Sequence, residues 1–262
     1  GEDPVMAILT ADHLIEPAED FRATIDAAMA VAAEEDALVT IGVPPTRPDT
    51  AYGYIELEKD TYSPEGHDAA SVHHVHRFRE KPNRETAEEF VEAGNFYWNS
   101  GMFFWRISTF LAALAEPQPQ MAIATRRIAA ALKEGNLEAA LAEFEKLESI
   151  SIDYALMEHA RNVRVVRAMF RWDDVGSWDS LDRTSNPDAS GNATEGDPVL
   201  IDVKNSIVFN AAGADELAVA VIGLEDVVVV TTDDGVLVCA KDRVQDVRKA
   251  VGELKKRRAR QL

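Results

Sequence analysis

A short polar triplet inside an aromatic run constrains this chain more than any other feature. From Phe96 to Trp105 it reads F-Y-W-N-S-G-M-F-F-W, so Asn99, Ser100 and Gly101 interrupt residues that are otherwise large and apolar or aromatic. A buried strand prefers apolar residues throughout, and polar groups inside one need partners. Those partners are either core groups or a ligand rich in hydroxyls, and the triplet taken alone favours the core. Just upstream, F-R-E-K-P places Glu80 and Lys81 side by side before Pro82. A helix over 83–93, with an Asn cap, acidic early turns and Gly94 past its end, joins the two stretches.

A length of 262 residues, 46% of them hydrophobic and 28% charged, suits one large or two unequal globular domains. The charge is lopsided: 27 basic against 46 acidic residues leave a formal net charge of -19. Such a surface repels nucleic-acid phosphates and anionic membranes, so neither is expected as a partner. A phosphorylated ligand would need local relief from a divalent cation or a few placed basic groups. Most of the carboxylates simply keep the chain in solution. The single cysteine, Cys239, excludes an internal disulfide, which suits a reducing cytoplasm, and a small buried hydrophobe is its favoured role. The start lacks the basic-then-apolar pattern of a signal peptide, and no apolar run is long enough to cross a bilayer.

Read in order, Val5 to Leu9 has the apolar texture of a buried parallel strand. T-A-D-H follows, and Pro17 opens a helix whose apolar positions Phe21, Ile25, Ala28, Met29 and Ala32 keep helical spacing. Asp12 therefore falls at the carboxyl end of a strand, where ligands bind in open α/β sheets, although position alone favours a strand-ending turn. A second strand over 37–43 ends at P-P-T-R-P-D. Residues 62–76 suggest an exposed hairpin whose His73, His74 and His76 belong to a solvated strand, since no further ligand stands at a zinc spacing. Residues 108–160 are helical in segments 108–115, 119–133, 137–147 and 152–160. A strand over 163–169 then feeds W-D-D-V-G-S-W, whose tandem acids before a glycine turn form a plausible cation site. From Thr184 the texture becomes turn-rich and then β-rich, and a helix over 242–260 with a basic tail closes the chain.

F-R-E-K-P, N-S-G-M-F, S-I-D-Y-A-L-M-E and W-D-D-V-G-S-W, in this order, resemble the mannose-1-phosphate guanylyltransferases among the sugar-1-phosphate nucleotidyltransferases. The resemblance implies an α/β Rossmann-like catalytic domain over 1–184, its sheet mixed and mostly parallel with helices on both faces. It further implies a small β domain over 185–262, resembling a left-handed β-helix and ending in a helix. Asp12, in A-D-H, matches a metal-binding Asp, with Thr10 where the family has proline. Asp174 matches the second metal ligand, and Asp173 fills a variable position. T-A-Y-G-Y-I, holding Gly53 and Tyr54, matches T-G-Y-G-Y-I beside the hexose, with Ala51 departing from it. Glu80 is assigned to sugar hydroxyls, Lys81 to the sugar phosphate, and Asn99 to the sugar, with Ser100 and Gly101 beside it. S-I-D-Y-A-L-M-E borders the same pocket, but His159 stands where the family often has lysine. Lys81, Asp12 and Asp174 are thus the expected catalytic residues, Mg²⁺ the cofactor, and GTP and mannose 1-phosphate the partners, with a homodimer left open.

The same family begins with a glycine-rich loop, G-G-x-G-[ST]-R, and a lysine that together cradle the triphosphate, and nothing in this chain matches them. The expectation is therefore of a fragment, inactive by itself. Three alternatives stay open: a related enzyme for another base or hexose, a non-catalytic regulatory homologue that binds nucleotide sugar, and a structural α/β protein with fortuitous motifs.

Overall fold

A computed structural model of the chain describes residues 3–58 and 71–258. It divides into two compact units, one of residues 1–11 and 15–172, the other of residues 12–14 and 173–262.

The first unit contains β1 (Val5–Ile8), α1 (Ala18–Glu34), β3 (Leu38–Val43), β4 (Tyr54–Leu57), β5 (Val72–Arg79), α2 (Arg84–Ala93), β6 (Phe96–Arg106), α3 (Ile107–Ala115), α4 (Pro119–Lys133), α5 (Leu137–Phe144) and β7 (Val163–Arg167). The short strands β2 (Leu14–Glu16) and β8 (Arg171–Asp173) pair with each other. The main sheet has six strands in the order β1-β6-β3-β7-β5-β4, with β4 also paired to β6.

Alternation along buried β3 explains how this sheet acquires two covered faces. Val39, Ile41 and Val43 point to one side, where they pack with Ala28 and Ala32 of α1, Phe90 of α2, Trp98 and Phe104. Leu38 points to the other, joining Phe103, Trp105, Leu156, Met157 and Val165, with Phe110 of α3 against them. Helices on both faces are as expected. α2 also starts and stops on its sequence signals: Asn83 accepts from the Thr86 N–H at 2.9 Å, and Gly94 closes it at φ 73°.

Two expectations are corrected. β3–β7 is the parallel pair of this sheet among the described residues, and the other pairings are antiparallel, so the sheet is mixed but not mostly parallel. β1 is an antiparallel edge strand on β6, with Ile8 40% exposed, rather than a buried parallel one. Four apolar residues in a row signal affinity for a sheet but carry no information about direction. Direction came from β6, whose early part pairs with β4 and whose late part pairs with β1.

Of the suggested hairpin, residues 62–70 lie outside the described residues. His74 and His76 are exposed on β5 as expected, but His73 is buried edge-on against Tyr97 and bonded to Ser71 at 3.0 Å. Among the described residues no group of three or more His, Cys, Asp or Glu is placed to hold a metal.

The second unit carries α6 (Ser180–Thr184), β9 (Ala193–Glu195), β10 (Val199–Ile201), β11 (Ile207–Asn210), β12 (Ala220–Ile222), β13 (Val227–Thr231), β14 (Val236–Ala240) and α7 (Val247–Lys256). β9, β11 and β13 stack in parallel, β10 pairs in parallel with β12, and β14 returns antiparallel on β13. This is the coil-on-coil arrangement of a β-helix. Ile207 sits opposite Ala193 on one side and Val228 on the other, so successive coils differ in length and leave no fixed repeat in the sequence. Corner side chains tie the coils together: Asn192 Nδ2 donates to Val203 O at 2.9 Å, and Thr231 Oγ1 to Asn210 Oδ1 at 3.0 Å. The unit already begins at Asp173, ahead of the change in texture at Thr184, because Trp178 and Leu181 pack onto its core of Ala193, Ile207, Val228, Val230 and Val244.

Gly196 marks one corner, with φ 75° and room for no Cβ, which would lie 2.2 Å from the Asn210 carbonyl oxygen. Gly196→Ala should combine left-handed strain with a backbone clash and destabilise this unit by about 2–4 kcal/mol. Urea unfolding followed by far-ultraviolet circular dichroism would measure it, and an unchanged midpoint would contradict the geometry.

Candidate active site

One cluster forms in the first unit, around the polar triplet. β6 bulges against β3 there: Phe103 pairs with Thr40 and Asn99 with Gly42, and Gly101 takes φ 72° inside the bulge. The bulge re-aims Asn99 so that its carboxamide is held from both sides. Oδ1 lies 3.2 Å from Thr40 Oγ1 and accepts from the Gly101 N–H at 3.3 Å, while Nδ2 donates to Asp153 Oδ1 at 2.9 Å.

Gly53 belongs to the same cluster. Its carbonyl accepts from the Asn99 N–H at 2.8 Å, and a Cβ at this position would stand 2.4 Å from Glu80 Oε2 and 3.5 Å from Asn99 Cβ. Position 53 must therefore be glycine for the Glu80 carboxylate to occupy its place. Glu80 pairs in turn with the Lys81 ammonium, whose side chain is more than half exposed. Lys81 has φ 45°, a left-handed conformation uncommon for a residue with a Cβ.

Asp153 completes the group and is the residue that sequence reasoning passed over. It lies in a single π-type turn, Asp153–Met157, whose Ala155, Leu156 and Met157 are buried. Burial raises its carboxyl pKa above the ordinary value, the nearby Glu80 raises it further, and Lys81 and the Asn99 amide act in the opposite direction. The signal was present in S-I-D-Y-A-L-M-E: an acid at the head of an otherwise apolar turn needs a partner, and the partner is Asn99.

Two of the expected pocket residues are placed differently. Ser100 is 2% exposed, and its hydroxyl accepts from the Met102 N–H at 3.3 Å, so it shapes the bulge. Tyr54 is fully buried, with its hydroxyl donating to Asp49 O and accepting from Asp49 N–H, both at 2.9 Å, so its side chain anchors the preceding loop. His159 lies at the end of its turn, its N–H bonded to Leu156 O at 3.0 Å.

A second cluster lies in the other unit. Asp12, at φ 63° just beyond the end of β1, precedes His13, and Asp12, Asp173 and Asp174 all act on His13 electrostatically. Burial depresses the His13 pKa against the pull of the three acids. The tandem acids take different environments. Asp173 is 4% exposed, accepts from the Val175 N–H at 2.9 Å and receives Arg183 through both oxygens, Nε to Oδ2 at 2.6 Å and Nη2 to Oδ1 at 3.3 Å. Asp174 is half-buried and accepts from the Gly176 N–H at 3.2 Å, with Gly176 leaving space that a Cβ would take 2.6 Å from Asp174 Oδ2. Asp12 and Asp174 are hard oxygen donors around one imidazole, a set that fits a divalent cation completed by phosphate oxygens and water.

The family described as nucleotidyl transferase matches residues 1–191. The chain belongs to that family. A second match, described as a MannoseP isomerase/GMP-like beta-helix domain, covers residues 196–254 and agrees with the stacked coils of the second unit. Among similar proteins, the Xanthan biosynthesis protein XanB of Xanthomonas campestris pv. campestris (strain B100) is 40% identical over 97% of this chain and 52% of its own length. The Alginate biosynthesis protein AlgA of Pseudomonas aeruginosa (strain PAO1) is 42% identical over 97% and 51%. Mannose-1-phosphate guanylyltransferase 2 of Escherichia coli O157:H7 is 36% identical over 97% and 52%. The chain thus spans about half the length of the curated relatives it matches. A solved structure titled mannose-1-phosphate geranyltransferase, from Thermus thermophilus, superposes with a TM-score of 0.80 at 33% identity, covering 96% of this chain and 70% of that one. Nucleotidyl transferases generally use a divalent metal, which accords with the Asp12 and Asp174 pair. Among the described residues no helix is long and apolar enough to cross a membrane.

Asp153 gives a pH prediction. A carboxyl whose pKa rises on folding binds its proton more tightly in the native state, so stability falls as pH climbs from 3.8 through the folded value. Asp153→Asn keeps an acceptor for Asn99 and removes that cost. Its unfolding midpoint should exceed the wild type's at pH 7, and the gain should vanish below about pH 4. Parallel urea titrations at the two pH values would check this.

Proposed function

We propose that the protein carrying this chain transfers a guanylyl group from GTP to mannose 1-phosphate, giving GDP-mannose and pyrophosphate. One observation supports this most: Gly53, Glu80, Lys81, Asn99 and Asp153 gather acceptors, a donor amide and one ammonium in a single cluster, the chemistry a phosphorylated hexose requires. The name of one relative, mannose-1-phosphate guanylyltransferase 2, supports guanine and mannose within that chemistry.

An oxygen of the sugar phosphate attacks the α-phosphorus of GTP; the new P–O bond forms as the bond to the β-phosphate oxygen breaks and pyrophosphate departs. The nucleophile is already an anion, so no general base is needed, and the chain contributes position and charge. Glu80 accepts from hexose hydroxyls, and the Gly53 backbone lets the ring approach. Asn99 donates from its amide. Lys81, released from Glu80 by the incoming ligand, offers a compact positive charge to the sugar phosphate. Asp12 and Asp174 would hold Mg²⁺, which would supply neutralisation of the nucleotide phosphates. Asp173 stays paired with Arg183 and keeps the turn carrying Asp174 in place. The single cysteine and the GTP substrate suit a cytoplasmic setting.

The complete protein, offered a panel of nucleoside triphosphates and hexose 1-phosphates, should release pyrophosphate fastest with GTP and mannose 1-phosphate, and only when a divalent cation is supplied. Asp174→Asn should reduce turnover by at least about a hundredfold while leaving the circular dichroism spectrum and thermal midpoint near wild type. Undiminished turnover in that variant would remove Asp174 from the mechanism, and preference for another pair would redirect the substrate assignment.

A further inference from the structure

An asparagine in a pocket is useful only if its carboxamide points the right way round, because rotating it by half a turn exchanges a donor for an acceptor. Two neighbours of Asn99 bear on that choice without ambiguity. The Gly101 N–H can only donate, and it stands 3.3 Å from Oδ1. An ionised Asp153 can only accept, and its Oδ1 stands 2.9 Å from Nδ2. Thr40 does not decide the matter, for its hydroxyl has one proton and lies 2.9 Å from the Met102 carbonyl as well as 3.2 Å from Asn99 Oδ1. Without Asp153, a flipped amide would lose one long bond from Gly101 and could still pair with Thr40.

The placement of Asp153 is costly, which argues that it is not incidental. Its carboxylate is half-buried within electrostatic reach of Glu80, another acid. Apart from its own backbone N–H, Asn99 is its hydrogen-bond partner among the described residues. The π-type turn that carries it is locked by buried Leu156 and Met157, so the carboxylate is presented by a rigid support.

We propose that Asp153 is a positioning residue: it fixes the Asn99 carboxamide so that the second N–H of Nδ2 is presented to a hexose hydroxyl. This rests on the hexose-pocket reading given above. Asp153 touches no reacting atom; its effect falls on sugar binding and leaves nucleotide binding alone. Glu80 and the oriented amide together then offer the sugar one acceptor and one donor, a pair that discriminates hydroxyl arrangement on the ring.

The test uses the complete protein and measures KM for mannose 1-phosphate, KM for GTP and kcat in wild type, Asp153→Ala and Asp153→Asn. Asp153→Ala should raise KM for mannose 1-phosphate by about tenfold, one hydrogen bond's worth, with KM for GTP within about twofold of wild type. Asp153→Asn can turn its carbonyl to the Asn99 amide and should recover most of that loss. A variant acting through fold stability alone would not separate the two KM values. If Asp153→Ala does not fold, Asp153→Leu, which fills the volume without an acceptor, should show the same split. Unchanged KM for mannose 1-phosphate, equal changes in both KM values, or an Asn variant no better than Ala would each overturn the proposal. A wild type with no guanylyltransferase activity would overturn the function assigned above and this role with it, whereas an active wild type with indifferent variants would overturn this role alone.

Discussion

The candidate site depends on a bulge in β6, the strand that borders β1, β3 and β4. A regular strand would send Asn99 into the same register as its aromatic neighbours. The left-handed Gly101 and the slipped pairing with β3 turn the amide to where Thr40, Gly101 and Asp153 meet it. Fixing the amide places the N–H of Asn99 on the Gly53 carbonyl, and the missing side chain of Gly53 leaves the volume that Glu80 fills. A chain of contacts thus runs from one backbone irregularity to the Asn99 and Glu80 side chains.

The tandem acids of W-D-D-V-G-S-W show how identical residues acquire separate duties. Asp173 falls at the end of β8 with its side chain inward, where only a fully paired carboxylate is tolerable, and Arg183 on α6 supplies the pairing. Asp174, one residue on, faces outward into the turn and shares the surroundings of His13 with Asp12. The pairing of the inner acid secures the turn, and the outer one lies outside that ion pair. Alternation of side-chain direction is the whole cause of the division.

Much of this was legible in the sequence where the signals are local. Asn83 and Gly94 bounded α2, Pro17 opened α1, and Gly53, Glu80, Lys81 and Asn99, named from their motifs, lie in one cluster. Non-local facts were not legible. The antiparallel pairing of β1 depends on where β6 ends, and the burial of Tyr54 and Ser100 depends on which face of each strand the sheet turns to the pocket. Asp153 escaped because its partner lies in another element, 54 residues earlier in the chain. The β-helix left no repeat to find because its coils differ in length, although its β texture was plain.

Those unequal coils have an evolutionary side. Their strands are held in register by buried Ile207, Val228 and Val230 on one face, by Val208 and Val229 on the other, and by the corner asparagines, not by a constant number of residues per circuit. Residues can therefore be gained or lost at the corners without disturbing the pairing above or below, as a spiral staircase keeps its pitch when one landing is widened. This geometry tolerates length changes at the rim, while the strand residues that stack must keep their pattern.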